Sequence, residues 1–185
     1  MYKRKVYDHL RRWKAASKGT TALMIEGARR VGKSTVAEEF AKNEYRSYIL
    51  IDWQKAPQAV RDSFRNNLDH LDTLFMDLSV YYGVRLHERD TLFIFDEVQL
   101  FPFARSAVKQ LVADGRYDFM ETGSLISIKK NVENILIPSE EESVSMFPMD
   151  FEEFLWARGE ELLADAIRQS FADRRAMSPL LDNKA

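Results

Sequence analysis

The sequence contains no cysteine. That absence removes disulfides, thiolate nucleophiles and cysteine-held zinc together. Histidine is nearly as scarce: His9, His70 and His87 are scattered singly, with no pair at ligand spacing. Transition-metal chemistry therefore lacks a donor set, and the three side chains are expected at the surface or in packing. Long hydrophobic runs are missing as well. No stretch reaches the roughly eighteen apolar residues of a membrane span, and the basic start Met1-Tyr2-Lys3-Arg4-Lys5 is not followed by the apolar stretch of a signal peptide. No membrane partner is expected, and a soluble cytoplasmic protein is. Net charge is small too, with 27 Lys and Arg against 29 Asp and Glu, which supplies no global attraction to nucleic acid or anionic lipid. What is present is apolar bulk: 185 residues, 45% of them hydrophobic, enough to bury one sizeable core with at most an appendage beside it.

Apolar spacing then divides the chain. Tyr2, Val6, Leu10 and Trp13 fall on one face of a helix, with Lys3, Arg4, Arg11, Arg12 and Lys14 around it as a solvated face to which no function is assigned. Ala22-Leu23-Met24-Ile25-Glu26 reads as a buried parallel strand ending at Gly27. Residues 34–42 are helical in composition, and Tyr48-Ile49-Leu50-Ile51-Asp52 is a second strand. From Pro57 to Tyr82, Val60, Phe64, Leu68, Leu71, Phe75 and Leu78 recur at helical steps, giving one long helix or two stacked ones. Leu92-Phe93-Ile94-Phe95 is the clearest strand; a helical face at Ala104, Val108, Leu111 and Val112 follows it. Tyr117 to Thr122 forms a fourth strand, and Val144 to Met149 a fifth after an acidic loop at Pro138-Ser139-Glu140-Glu141-Glu142. Strands alternating with helices imply a three-layer α/β/α domain around a mostly parallel, five-stranded sheet.

Gly27-Ala28-Arg29-Arg30-Val31-Gly32-Lys33-Ser34 completes the pattern G-x-x-x-x-G-K-[ST]. Its glycines let backbone amides wrap phosphates, and the following helix adds its partial positive charge. Average composition would produce the four fixed positions by accident in roughly one chain of this length in a hundred, and here the motif lies where its mechanism requires, between a strand and a helix. Lys33 is placed to reach the β and γ phosphates, and Ser34 to put its hydroxyl on Mg²⁺. Thr35 either approaches the α phosphate or is an ordinary first-turn threonine; Arg29 and Arg30 either touch phosphate or face water.

Phe95-Asp96-Glu97 ends the clearest strand with two acids, Asp96 for the magnesium shell and Glu97 to polarise an attacking water. A kinase has its acceptor hydroxyl and does not require that second acid, so Glu97 argues for hydrolysis. Thr122-Gly123-Ser124 closes the next strand, where hydroxyls can meet the γ phosphate or the lytic water, although alone the triplet reads as a turn. Trp53 either flanks the nucleotide or packs in the core. No complete guanine-reading [NT]-K-x-D motif occurs, which favours adenine.

On these residues the sequence resembles the AAA-type P-loop ATPases of bacteria and archaea that pair this domain with a C-terminal nuclease-like domain. The resemblance spans nearly the whole chain through Gly27 to Ser34, Phe95-Asp96-Glu97-Val98-Gln99, Thr122-Gly123-Ser124 and Pro148-Met149-Asp150-Phe151-Glu152-Glu153-Phe154, the last being the most diagnostic. It implies an additional-strand core, with the sensor strand between the P-loop strand and the acidic strand and with Ser124 or Thr122 as polar sensor. Such enzymes carry a helical lid beyond the core. With the sequence ending at Ala185, residues 1–150 are expected to be the core and 151–185 a helical extension, the start of a truncated lid. They also take an arginine finger from just past a neighbouring subunit's sensor strand, yet no arginine occurs between Arg116 and Arg158, and Lys129 and Lys130 read as a solvated helix face.

A finger contributes about a thousandfold or more, so the expected activity is slow, magnesium-dependent ATP hydrolysis that drives or gates a conformational change. A protein or DNA client and a homo-oligomeric state are left open. The alternatives are a nucleotide-dependent scaffold or switch with negligible hydrolysis and, against Glu97 and Thr122-Gly123-Ser124, a small-molecule kinase.

Overall fold

The computed structural model describes residues 3–124 and 141–178. The apolar runs form a five-stranded parallel sheet: β1 (Ala22–Gly27), β2 (Ser47–Asp52), β3 (Thr91–Asp96), β4 (Asp118–Ser124) and β5 (Glu141–Met146), in the order β2-β3-β4-β1-β5. The strand that the resemblance makes the sensor strand, β4, thus lies between β1 and β3. Around the sheet stand α1 (Lys5–Ser17), α2 (Lys33–Glu44), α3 (Gln58–Asn67), α4 (Leu71–Tyr82) and α5 (Pro102–Asp114), followed by α6 (Phe151–Ala157) and α7 (Glu161–Asp173).

Strand alternation explains why the apolar runs are unbroken: each residue meets one of two helical layers. Leu92 and Ile94, with Leu23, Ile25 and Met120, pack under Leu10 and Trp13 of α1 and Val36, Ala37 and Phe40 of α2. Phe93, Phe95 and Phe119 point the other way, into Val60 and Phe64 of α3, Leu74, Phe75 and Leu78 of α4, and Ala104, Val108 and Leu111 of α5. The second layer is dense in rings. Phe93 stacks on Phe119 at 5.5 Å between centroids, and such pairs add about 1 kcal/mol each beyond the area they bury. Trp53 belongs to this cluster, 4.6 Å from Phe101 and fully buried, on the face away from α2. Its role is packing.

The 57–82 segment resolves into two helices, with His70 at the start of α4 and Gly83 closing it in the left-handed region, where a side chain is disfavoured. Two strands differ from expectation. The β1–β4 ladder runs on to the pair Gly27 and Ser124, two residues past the expected end at Thr122. β5 begins three residues earlier than its apolar run and ends at Met146, because its register is set by pairing from Ala22 with Glu141 to Gly27 with Met146. As an edge strand it turns Glu142, Ser143 and Ser145 to solvent, and that polarity made its first half read as loop. Pro138, Ser139 and Glu140 of the expected loop lie outside the described residues.

The C-terminal helices make a hairpin with its own small apolar cluster, Leu155, Leu163 and Ala164, backed by Trp156, Ile167 and Met177. Asp150 caps α6 by accepting from the amide of Glu153, whose carboxylate returns to the amide of Asp150. This reciprocal pair satisfies two orphan donors at once.

Candidate functional site

The site forms at the carboxyl ends of β1, β3 and β4, where a parallel sheet leaves its crevice. Gly27 ends β1. A Cβ there would lie 2.1 Å from the carbonyl oxygen of Met146, so only glycine lets β5 pass at this distance. Gly32, with φ 98°, makes the left-handed turn into α2. Arg30 also has a positive φ, 65°, which winds the loop tightly between them. Ala28, Arg29, Arg30 and Thr35 are exposed, Val31 and Gly32 half-buried, and Lys33 buried.

Lys33 turns back into the loop, its Nζ donating to the carbonyls of Gly27 at 3.2 Å and Ala28 at 2.8 Å. Burial pulls its ammonium below the ordinary lysine range, with Glu97 and Asp96 opposing that and Arg29 adding to it. A buried cation served by neutral carbonyls is a place where an anion is stabilising. Ser34, next along, donates from Oγ to Asp96 Oδ1 at 2.6 Å, and the same oxygen accepts from the hydroxyl of Thr122. Thr122 in turn accepts from the amide of Glu97 at 3.2 Å. One hydroxyl and one carboxylate converging in this way are hard oxygen donors of the kind Mg²⁺ prefers. Among the described residues no cluster of three or more His, Cys, Asp or Glu suits a metal. A cation here would take most of its shell from phosphate and water, as Mg²⁺ habitually does.

Glu97 adopts a left-handed conformation, φ 54°, immediately after β3. That is an uncommon state for a glutamate and a form of local strain that gathers at functional sites. Its carboxylate is gripped by the side-chain amide of Gln99, two residues along a short 3₁₀ turn at Val98–Leu100. Ser124 is buried at the end of β4, paired with Gly27 across the sheet. The three histidines stand apart, on α1, before α4 and in the connection into β3. Lys129 and Lys130 lie outside the described residues.

The structure adds participants that sequence reasoning passed over. Gln99 was present in the quoted motif, but only as a mark of resemblance. Nothing in the spacing of Arg4 separates it from Lys3 or Lys5 on the basic face expected to be solvated. Arg4 is 7% exposed, and its Nη1 donates to the carbonyl of Val31 at 2.9 Å, inside the loop. Beside it lies a cavity of about 390 Å³, lined by Arg4, Val144, Met146, Phe147, Asp150 and Glu153 among others. Hollows of similar volume elsewhere, between α3 and α4 and between α6 and α7, are more apolar and carry none of these residues except Asp150.

A protein-family model described as an AAA domain matches residues 19–155. No curated protein matches the chain by sequence. Among solved structures the chain is similar to Drosophila ORC bound to DNA, with TM-score 0.49 and 8% identity over 79% of this chain and 94% of that one. It is similar to Drosophila ORC bound to AT-rich DNA and Cdc6, with TM-score 0.50 and 8% identity over 94% of this chain and 65% of that one. For C. elegans PCH-2 the TM-score is 0.48 and the identity 13%, over 93% of this chain and 48% of that one. At such identities the likeness is one of fold, and this chain spans only part of the length of the last two.

Proposed function

The chain belongs to the AAA domain family, and from that premise we propose that it binds ATP with Mg²⁺ through Gly27 to Ser34 and hydrolyses it slowly to drive or gate a conformational change. One observation carries the reading: Ser34 and Asp96, from the start of α2 and the end of β3, meet at 2.6 Å beside a buried Lys33. In this reading Lys33 exchanges its carbonyl acceptors for β and γ phosphate oxygens, and the amides of residues 28–34 cradle the chain of phosphates. Ser34 and Asp96 would hold Mg²⁺, whose positive charge would offset that of the phosphates. Thr122 orients Asp96, Ser124 faces the γ phosphate or the lytic water, and Glu97 accepts the proton of that water. The cavity of about 390 Å³ takes the base and ribose, since Arg4 and Met146 line it and also flank Gly32. Slow turnover follows from the arginine-free interval between Arg116 and Arg158. The movement is delivered to a nuclease-like domain of the kind the resemblance implies, with DNA or a protein as client.

A second reading, a switch with negligible hydrolysis, draws on the Gln99 contact, which occupies one oxygen of Glu97. Calorimetric titration of ATP with Mg²⁺ tests the shared premise: Lys33→Ala is expected to abolish binding, and unchanged affinity would overturn the P-loop assignment. Phosphate release, measured with and without DNA, separates the two readings, because a rate equal to buffer favours the switch.

A further inference from the structure

Two segments that the sequence left without a role, the basic start of α1 and the acidic motif around Glu153, meet at the phosphate loop. Arg4 precedes α1, and its buried guanidinium donates to two carbonyls and lies against one carboxylate. Nη1 donates to the carbonyl of Val31 at 2.9 Å, Nη2 to the carbonyl of Phe147 at 2.6 Å, and Nε lies 3.2 Å from a carboxylate oxygen of Glu153. Glu153 is fixed in turn. Its Oε1 accepts from the amide of Lys5 at 2.7 Å, and its backbone amide donates to Asp150 at 2.9 Å in the α6 cap. A planar, rigid fork can reach two carbonyls at set angles while keeping its charge beside a carboxylate; a lysine ammonium on a flexible stem cannot.

The Val31 contact matters because a trans peptide is planar, with its C=O and N–H pointing in opposite directions. Holding the Val31 carbonyl toward Arg4 therefore turns the Gly32 amide the opposite way, to the side of the loop away from Arg4. We infer that Arg4 is a positioning residue for nucleotide binding that sets the Val31–Gly32 peptide, and that Glu153, by holding Arg4, couples the loop to the α6–α7 hairpin. The inference rests on the nucleotide reading above. Coupling is reciprocal, so a nucleotide that settles the loop also settles α6.

Calorimetric titration of ATP with Mg²⁺ against wild type, Arg4→Lys, Glu153→Gln and the double variant tests it. Loss of a charge-assisted contact predicts about tenfold weaker binding for Arg4→Lys, a smaller loss for Glu153→Gln, and a double variant no weaker than Arg4→Lys, since both act through one path. Arg168→Ala, which breaks only surface pairs with Glu152 and Asp165 on the same hairpin, keeps wild-type affinity. Wild-type affinity in Arg4→Lys would overturn the inference and leave the nucleotide reading standing; a wild type that binds no ATP would overturn both. Hydrogen exchange on the wild type needs no variant. Saturating ATP with Mg²⁺ is expected to raise amide protection in α6, and unchanged protection would remove the coupling.

Discussion

Ser34 Oγ donates to Asp96 Oδ1 at 2.6 Å, joining the first turn of α2 to the last residue of β3. A hydroxyl and a carboxylate that already share a proton can open onto a cation with little movement. Chelating Mg²⁺ is expected to weaken ATP binding to the wild type by about tenfold, the scale of one charge-assisted interaction. Asp96→Asn is expected to lose most of that difference in a titration with and without EDTA. A variant whose affinity still tracks Mg²⁺ as the wild type does would take Asp96 off the metal.

Glu97 is expected to separate binding from turnover. Glu97→Gln keeps the shape and a hydrogen-bonding partner for Gln99 but removes the base, so ATP affinity stays near wild type while phosphate release falls by about a hundredfold or more. Equal release rates would show that another group accepts the proton.

Gly27→Ala tests the close passage of β5. The added methyl meets the Met146 carbonyl at 2.1 Å, a clash with backbone rather than with a movable side chain. Relief requires the strands to part, and overpacking of this kind is expected to lower the melting temperature by about 5 °C or more. An unshifted melt would mean that the β1–β5 edge yields freely.

Beneath α5, Glu121 is fully buried with Glu141 nearby, and Arg105 pairs with Glu141 at 2.8 Å. Burial first, and the Glu141 charge second, push the Glu121 carboxyl well above the usual range; Arg105 opposes them. The folded state therefore holds a proton that the unfolded chain releases near pH 4.5. This contribution is fully present below that pH and is lost as pH rises through the folded value, at up to about 1.4 kcal/mol per pH unit. Glu121→Gln keeps the shape of the side chain without titrating. Melts from pH 5 to pH 9 are expected to show a shallower decline for the variant, and parallel curves would locate the titration elsewhere.

Much of this was legible in the sequence, for identifiable reasons. Two-sided burial wrote Leu92-Phe93-Ile94-Phe95 as an unbroken run, and the phosphate loop needs its glycines and lysine at fixed spacing. β5 was misplaced because an edge strand shows only alternate residues to the core, and Val144 and Met146 alone carry the signal. The end of β4 is hard to place at Thr122-Gly123-Ser124 because that composition alone suits a turn; the ladder with β1 extends the strand to Ser124. Arg4 was illegible for a different reason. Its partners Val31 and Phe147 offer backbone carbonyls, which every residue has, so no side-chain pattern announces them.

β1 lies between β4 and β5, both drawn from the far half of the chain. As the polypeptide leaves the ribosome, Gly27 to Ser34 emerges early, yet its strand has no neighbour until residues 118–124 and 141–146 have followed. Long-range parallel pairing of this sort is slow, because most of the chain must close into a loop before the first contact repays it. A nascent chain halted before β4 thus displays the entire phosphate motif on a strand that still lacks both of its sheet neighbours.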